Sequence, residues 1–208
     1  LAAAQITGGH REEIEKMPFP VVLVGQRTDI CSCVYHDDRQ AAWAAMNHLL
    51  KSGVERPAYL GVTRRDLAAG EARFQGAGAA LAQNGFSIEE IPKEEVEFTS
   101  ESGYRGMEKL LEARETPDGV FCASDLIAAG AMACLRDRGY RVPHQVRVTG
   151  IGHGRVADLL TPRLTTVHYH YKTSGREAAR MLLELIENPR ARRREKQLQV
   201  RLVAQESA

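Results

Sequence analysis

Arg73 stands in the polar run Asp66 to Gly76 (DLAAGEARFQG), just as a helical pattern begins. Its planar guanidinium could donate two parallel hydrogen bonds to vicinal hydroxyls or to a phosphate, or it could be a solvated residue on an exposed turn. Asp66 can accept from hydroxyl groups and is equally a turn former. Ser124 and Asp125 follow the apolar run Gly119 to Ala123, which puts the Ser124 hydroxyl at a strand end. Asp125 either reaches a ligand there or caps the helix beginning at Leu126. Tyr171 carries a ring face and a hydroxyl, and is otherwise a packed aromatic. Paired donors and acceptors beside a flat apolar wall form a recognition shell for a hydroxyl-rich ligand.

Bond-breaking chemistry finds little support. The chain has no GxSxG elbow, no phosphate-binding P-loop and no paired-histidine metal motif. Gly150, Gly152 and Gly154 imitate a dinucleotide loop, but the third glycine is misplaced and no matching acid follows, so a tight loop is expected. His168 and His170 alternate along an extended stretch without an evident third ligand. Neither metal nor cofactor is expected. The four cysteines, Cys31, Cys33, Cys122 and Cys134, are too few and scattered for a disulfide framework; Cys31 and Cys33 should share one face of a strand. The run from Arg190 to Lys196 reads as a solvated basic turn.

Composition sets the frame for these residues. The 208 residues are 43% hydrophobic and 26% charged, enough to bury one large core or two smaller ones. Lys and Arg total 28 against 27 Asp and Glu, and a net charge of +1 supplies no electrostatic footprint for nucleic acid. No apolar run is long enough to span a bilayer, and residues 1–20 lack a signal peptide's pattern, so a cytoplasmic protein without membrane contact is expected. The opening at Leu1, on an apolar stretch with no capping signal, reads as a chain whose upstream part is missing.

Short apolar runs alternate with amphipathic segments, the rhythm of an α/β parallel-sheet fold. Strands are expected at Pro20–Gly25, Ala58–Val62, Gly119–Ala123, Val146–Ile151 and Gln197–Val203. A helix should follow Asp38 as its N-cap, with Ala42, Ala45, Met46, Leu49 and Leu50 on one stripe and Gly53 ending it. Further helices are expected over Glu71–Asn84, Gly103–Arg114, Leu126–Arg138 and Ser174–Glu187, the last with Ala179, Leu182, Leu183 and Ile186 inward. Strand carboxyl ends in such sheets form the edge where ligands bind.

Several stretches resemble the sensing domains of the lactose-repressor (LacI/GalR) family of transcription repressors. VYHDDRQAAWAAMNHLLKSGVERPAYLGV (Val34–Val62), DLAAGEARFQG with Arg73, and PDGVFCASDLIAAGAM (Pro117–Met132) carry the likeness, together with LTTVHYHYKTSGREAARMLLELI and the closing QLQVRLVAQES. The likeness covers essentially the whole chain. Within the family it is greatest to the trehalose-operon repressors, through CVYHDD, YLGV and Tyr171 ahead of Gly175. Where the family at large has Gly, an aromatic and two polar residues after its fifth strand, this chain reads Gly150, Ile151, Gly152, His153, the glycine at position 152 again favouring that subgroup.

The resemblance implies a type I periplasmic-binding-protein-like fold of two parallel-sheet subdomains with an effector cleft between them. Residues 1–54 and 167–192 would form an incomplete amino-terminal subdomain and residues 55–166 and 193–208 the carboxyl-terminal one, with crossings near Gly53–Arg56, Thr165–Val167 and Pro189–Lys196. About one third of the sensing domain and the DNA-binding head would lie upstream. Asp66, Arg73, Ser124, Asp125, His153 and Tyr171 are the implied effector contacts. The implied partners are a sugar or sugar phosphate such as trehalose 6-phosphate, operator DNA through the missing head, and a second copy in a homodimer. A periplasmic sugar-binding protein of a transporter is the rival reading.

Overall fold

The computed structural model describes residues 8–113 and 115–208, so the expected helix end at Arg114 and the opening at Leu1 lie outside the described residues. In chain order the elements are α1 (Gly8–Lys16), β1 (Val22–Val24), β2 (Ser32–His36), α2 (Asp38–Lys51), β3 (Pro57–Gly61), a π-helical turn (Leu67–Ala72), α3 (Arg73–Gln83), β4 (Lys93–Glu95), α4 (Ser100–Leu111), β5 (Gly119–Cys122), α5 (Asp125–Asp137), β6 (Arg147–Gly152), α6 (Arg155–Leu159), β7 (Thr165–Tyr169), α7 (Tyr171–Glu187), β8 (Glu195–Leu198) and β9 (Val200–Val203). No helix among the described residues is long and apolar enough to cross a membrane.

The chain divides into two compact units. The first comprises Leu1–Asp37 and His170–Val200, the second Asp38–Tyr169 and Arg201–Ala208. The expected first crossing near Gly53–Arg56 is therefore corrected to Asp37–Asp38, because α2 packs on α3 and on β5, β6 and β7 of the second unit. The other two passages fall after Tyr169 and after Val200, rather than near Thr165–Val167 and within Pro189–Lys196.

In the first unit β1, β2 and β8 form a parallel sheet with β2 central. Its core joins Val22, Val34 and Leu198 of the strands to Ala178 and Met181 of α7, with Leu182 and Leu185 packed alongside. The stripe expected on α7 is thus rotated. Leu183 and Ile186 are exposed, and the inward row runs through Ser174, Ala178, Met181 and Leu185, a helical spacing on the neighbouring face. Cys31 precedes β2 and is half-buried, whereas Cys33 is buried within it, so the two do not share a strand face; all four cysteines are free thiols.

The second unit carries a six-stranded sheet in the order β4-β3-β5-β6-β7-β9, parallel from β4 to β7. Alternate residues point to opposite faces of a strand. Tyr59 of β3 meets Phe74 of α3 and stacks on Phe121 of β5, while its neighbour Leu60 lies against Gly106 of α4. The α2–α3 pair and the α4–α5 pair accordingly cover opposite faces, and the strands between them are buried apolar runs. Close approach of α4 to α5 depends on Gly130, where a Cβ would stand 1.9 Å from the Ser100 carbonyl oxygen. Gly53 and Gly85 end α2 and α3 with φ of 93° and 83°, the left-handed conformation expected of a helix stop.

The strand expected over Gln197–Val203 is two strands. β8 joins the first unit's sheet and β9 the second's, because the chain passes between units within that run.

Candidate functional site

Arg73 is the first residue of α3 and is buried, which excludes the solvated-turn reading. Asp66 sets this up from below. Its carboxylate accepts from the Ala68 and Ala69 amides at 3.0 and 2.9 Å and caps the π-helical turn that delivers Arg73. With Asp66 itself buried and both bonds local, the turn-forming role is the one the geometry displays.

The guanidinium is held on three sides. Nε donates to Asp38 Oδ1 at 2.7 Å, Nη1 to the Ala123 carbonyl at 2.5 Å and Nη2 to the Tyr169 hydroxyl at 3.4 Å. Nη2 also lies 2.7 Å from Asp38 Oδ1, and the Tyr169 hydroxyl donates to that same oxygen at 2.7 Å. Burial alone would lower the pKa of a guanidinium, but Tyr169 and Asp38 more than offset it and the net shift is upward. Burial likewise pushes the Tyr169 phenol well above its ordinary range, so it acts as a neutral donor at physiological pH. Asp38 and Tyr169 were absent from the candidates named from sequence, where Asp38 read only as a helix cap. A buried arginine demands a carboxylate partner, so the signal was the need for an acid near Arg73 once burial is granted.

Ser124 follows β5 directly after Ala123, whose carbonyl Arg73 grips. It is Ser124, rather than Asp125, that caps α5. The Ser124 hydroxyl accepts from the Ile127 amide at 3.2 Å. Asp125 is the first helical residue and turns inward, accepting from the Gly154 amide at 2.8 Å and from the Thr166 hydroxyl at 2.5 Å. Burial raises its carboxyl pKa, and those two hydrogen bonds pull it back only in part. The tight loop expected over the three glycines is corrected, because Gly150 and Gly152 close β6; a Cβ on Gly150 would sit 2.8 Å from Asp125 Oδ1, so the strand packs closely on this carboxylate, and only His153 and Gly154 make the loop that follows.

His153 occupies that loop with φ of 51°, in the left-handed region where histidine is among the tolerated types. Its Nδ1 lies 3.1 Å from Nδ1 of His168 on β7, and its Nε2 lies 3.4 Å from Asp158 Oδ1. His168 thus pairs with His153, and among the described residues no three His, Cys, Asp or Glu side chains are grouped to hold a metal. Tyr171 begins α7 in the first unit, is exposed, and meets the buried His36 edge-on with centroids 6.3 Å apart.

The second unit therefore gathers two networks at the carboxyl ends of its strands: Asp38–Arg73–Tyr169 with Ala123 and Ser124, and Asp125–Thr166–Gly154 with His153 and His168. The first fixes the buried guanidinium in one orientation, with Asp38, Tyr169 and the Ala123 carbonyl taking four of its five N–H groups and one on Nη1 left to meet a hydroxyl or an anion oxygen. Neither contains a nucleophile activated by a neighbouring base. The basic turn after α7 is solvated, with Arg193 bonded to the Thr28 carbonyl and Arg194 paired with Glu184.

Three comparisons bear on this arrangement. Catabolite control protein A of Priestia megaterium is 31% identical over 182 residues, covering 86% of this chain and 55% of that protein. The HTH-type transcriptional regulator GalR of Escherichia coli K12 is 35% identical over 156 residues, covering 75% of this chain and 45% of that protein. The chain spans about half the length of these relatives. Among solved structures, the transcriptional regulator CelR in complex with cellobiose superposes with a TM-score of 0.92 at 29% identity, over 100% of this chain and 64% of that one. The model of the periplasmic binding protein-like domain matches residues 46–208, and the chain belongs to that family.

Proposed function

We propose that this chain is the effector-sensing part of a sugar-responsive, DNA-binding transcription repressor that works as a homodimer inside the cell. The observation that carries the reading is the Arg73 guanidinium, fixed at a sheet's carboxyl edge by Asp38, Tyr169 and the Ala123 carbonyl. A sugar hydroxyl or a phosphate oxygen that meets the one guanidinium N–H left uncommitted finds that donor already oriented, whereas ordering a free arginine side chain on binding costs affinity. The regulators it resembles support the regulatory role and the cellobiose-bound likeness supports a sugar-type effector; the transporter reading lacks such support. Ser124, His153 and Tyr171 remain candidate contacts, while Asp66 and Asp125 act on the site through the backbone they hold. The finer reading is a trehalose 6-phosphate sensor, carried by CVYHDD, YLGV and Tyr171 before Gly175.

Effector binding would alter operator affinity only through a difference in affinity between two states of the full protein. The test is calorimetric titration of the full-length protein with trehalose 6-phosphate, trehalose, glucose 6-phosphate and cellobiose, alongside operator binding with and without each. Binding of one sugar that shifts operator affinity, lost in Arg73→Lys, is the expected result. Sugar binding that leaves operator affinity untouched would overturn the regulatory reading. Silence toward all four would remove the trehalose 6-phosphate assignment.

A further inference from the structure

The chelating geometry lies in the His153–His168 pair. The two imidazoles stand nearly perpendicular, at 80°, with ring centroids 5.1 Å apart and Nδ1 atoms 3.1 Å apart. They come from neighbouring parallel strands: His168 from β7, and His153 from the loop leaving β6 at Gly152, the residue paired in register with His168. Beyond the far nitrogen of His153 stands a carboxylate, Asp158 Oδ1 at 3.4 Å from Nε2. That carboxylate is 61% exposed and stands at ion-pair distance, so it biases the His153 Nε2 toward carrying the proton, the arrangement in which metal-binding histidines present their other nitrogen.

We propose that His153 and His168 form a chelating site for a divalent transition-metal ion of the zinc class, with both Nδ1 atoms as ligands and Asp158 orienting His153. At a metal–nitrogen bond of about 2.0–2.1 Å, nitrogens at the observed separation subtend roughly 100° at the metal, between the octahedral and tetrahedral values. Imidazole pairs suit zinc, nickel and copper rather than magnesium or calcium. The other acid nearby, Asp125, is committed to the Gly154 amide and the Thr166 hydroxyl and is not a ligand. With no third protein ligand among the described residues, water completes the shell and the affinity is weaker than that of a closed structural site. The ion would place a fixed positive charge at the carboxyl ends of β6 and β7.

Calorimetric titration of zinc chloride into the purified 208-residue chain at neutral pH tests this independently of any sugar. The expected result is one equivalent per chain. His153→Asn, which keeps a residue type tolerant of left-handed backbone, and His168→Gln should each weaken uptake by about tenfold or more, and Asp158→Asn by a smaller factor. Should His168→Gln lower the thermal midpoint, the loop variant His153→Asn decides. No uptake by the wild type overturns the proposal, as does uptake undiminished in a folded His153→Asn, which would assign the ion to other histidines.

Discussion

Replacing Asp38 by alanine should be among the most damaging single changes in the second unit. The Arg73 and Asp38 side chains are only 11% and 6% exposed, and one carboxylate oxygen takes Nε, Nη2 and the Tyr169 hydroxyl together. Arg73 cannot relieve the loss by deprotonating, because a guanidinium stays charged at any pH the protein survives. Breaking a buried pair from one side costs about 3–5 kcal/mol, against little or nothing when both charges are removed. For a chain of this size that corresponds to a fall in midpoint of roughly 6–20 °C. The sole tryptophan, Trp43, lies on α2 and bonds Gln83 of α3, so its fluorescence in a urea titration follows this unit. The double variant Asp38→Ala/Arg73→Met should cost less than the two single losses combined, by about 0.5–3 kcal/mol. Additive losses, or an Asp38→Ala cost below about 1 kcal/mol, would refute the claim that the pair is one buried unit.

Three further predictions use the same titration. Ser124→Ala removes the cap on α5 and should cost about 1 kcal/mol; an unchanged midpoint would mean the Ile127 amide finds another acceptor. Gly53→Ala should cost about 1–2 kcal/mol from backbone conformation alone, since φ is 93° and a Cβ there meets nothing within 4 Å, and Gly53→Asn should cost less. Because the Asp125 carboxyl is shifted upward in the fold, its contribution is fully present below the ordinary carboxylate range and is lost as pH rises through the folded value. The stability of Asp125→Asn relative to wild type should therefore climb as pH rises above the ordinary carboxylate range, and a flat or falling difference would contradict a burial-driven shift.

Much of the second unit was legible because its strands are buried on both faces and its helices are punctuated. The apolar stripe of α2 from Ala42 to Leu50 and the stops at Gly53 and Gly85 follow from period and backbone preference. The α7 face was misplaced because that helix carries apolar side chains on two adjacent faces, and only the tertiary partner chooses between them. The division at Asp37–Asp38 left no local mark, since it falls between a strand and its following helix with no linker composition. At the site, Arg73 and Ser124 could be singled out from residue type and position. Their chemistry could not be completed, because Asp38 and Tyr169 lie 35 and 96 residues from Arg73 in sequence.

Interleaving of the two units has a consequence for synthesis on the ribosome. β2 must wait for its second neighbour, β8, until about 160 further residues have been made, the whole of Asp38–Tyr169 among them. At elongation rates of about 5–20 residues per second, one edge of β2 stays unpaired for roughly 8–30 s. Meanwhile β3 to β7 can assemble from contiguous chain, so nascent molecules would hold a formed second unit beside an unfinished sheet. Val34, buried once α7 docks, is exposed in that interval, and that open strand edge is where a holding chaperone would be expected to bind during translation.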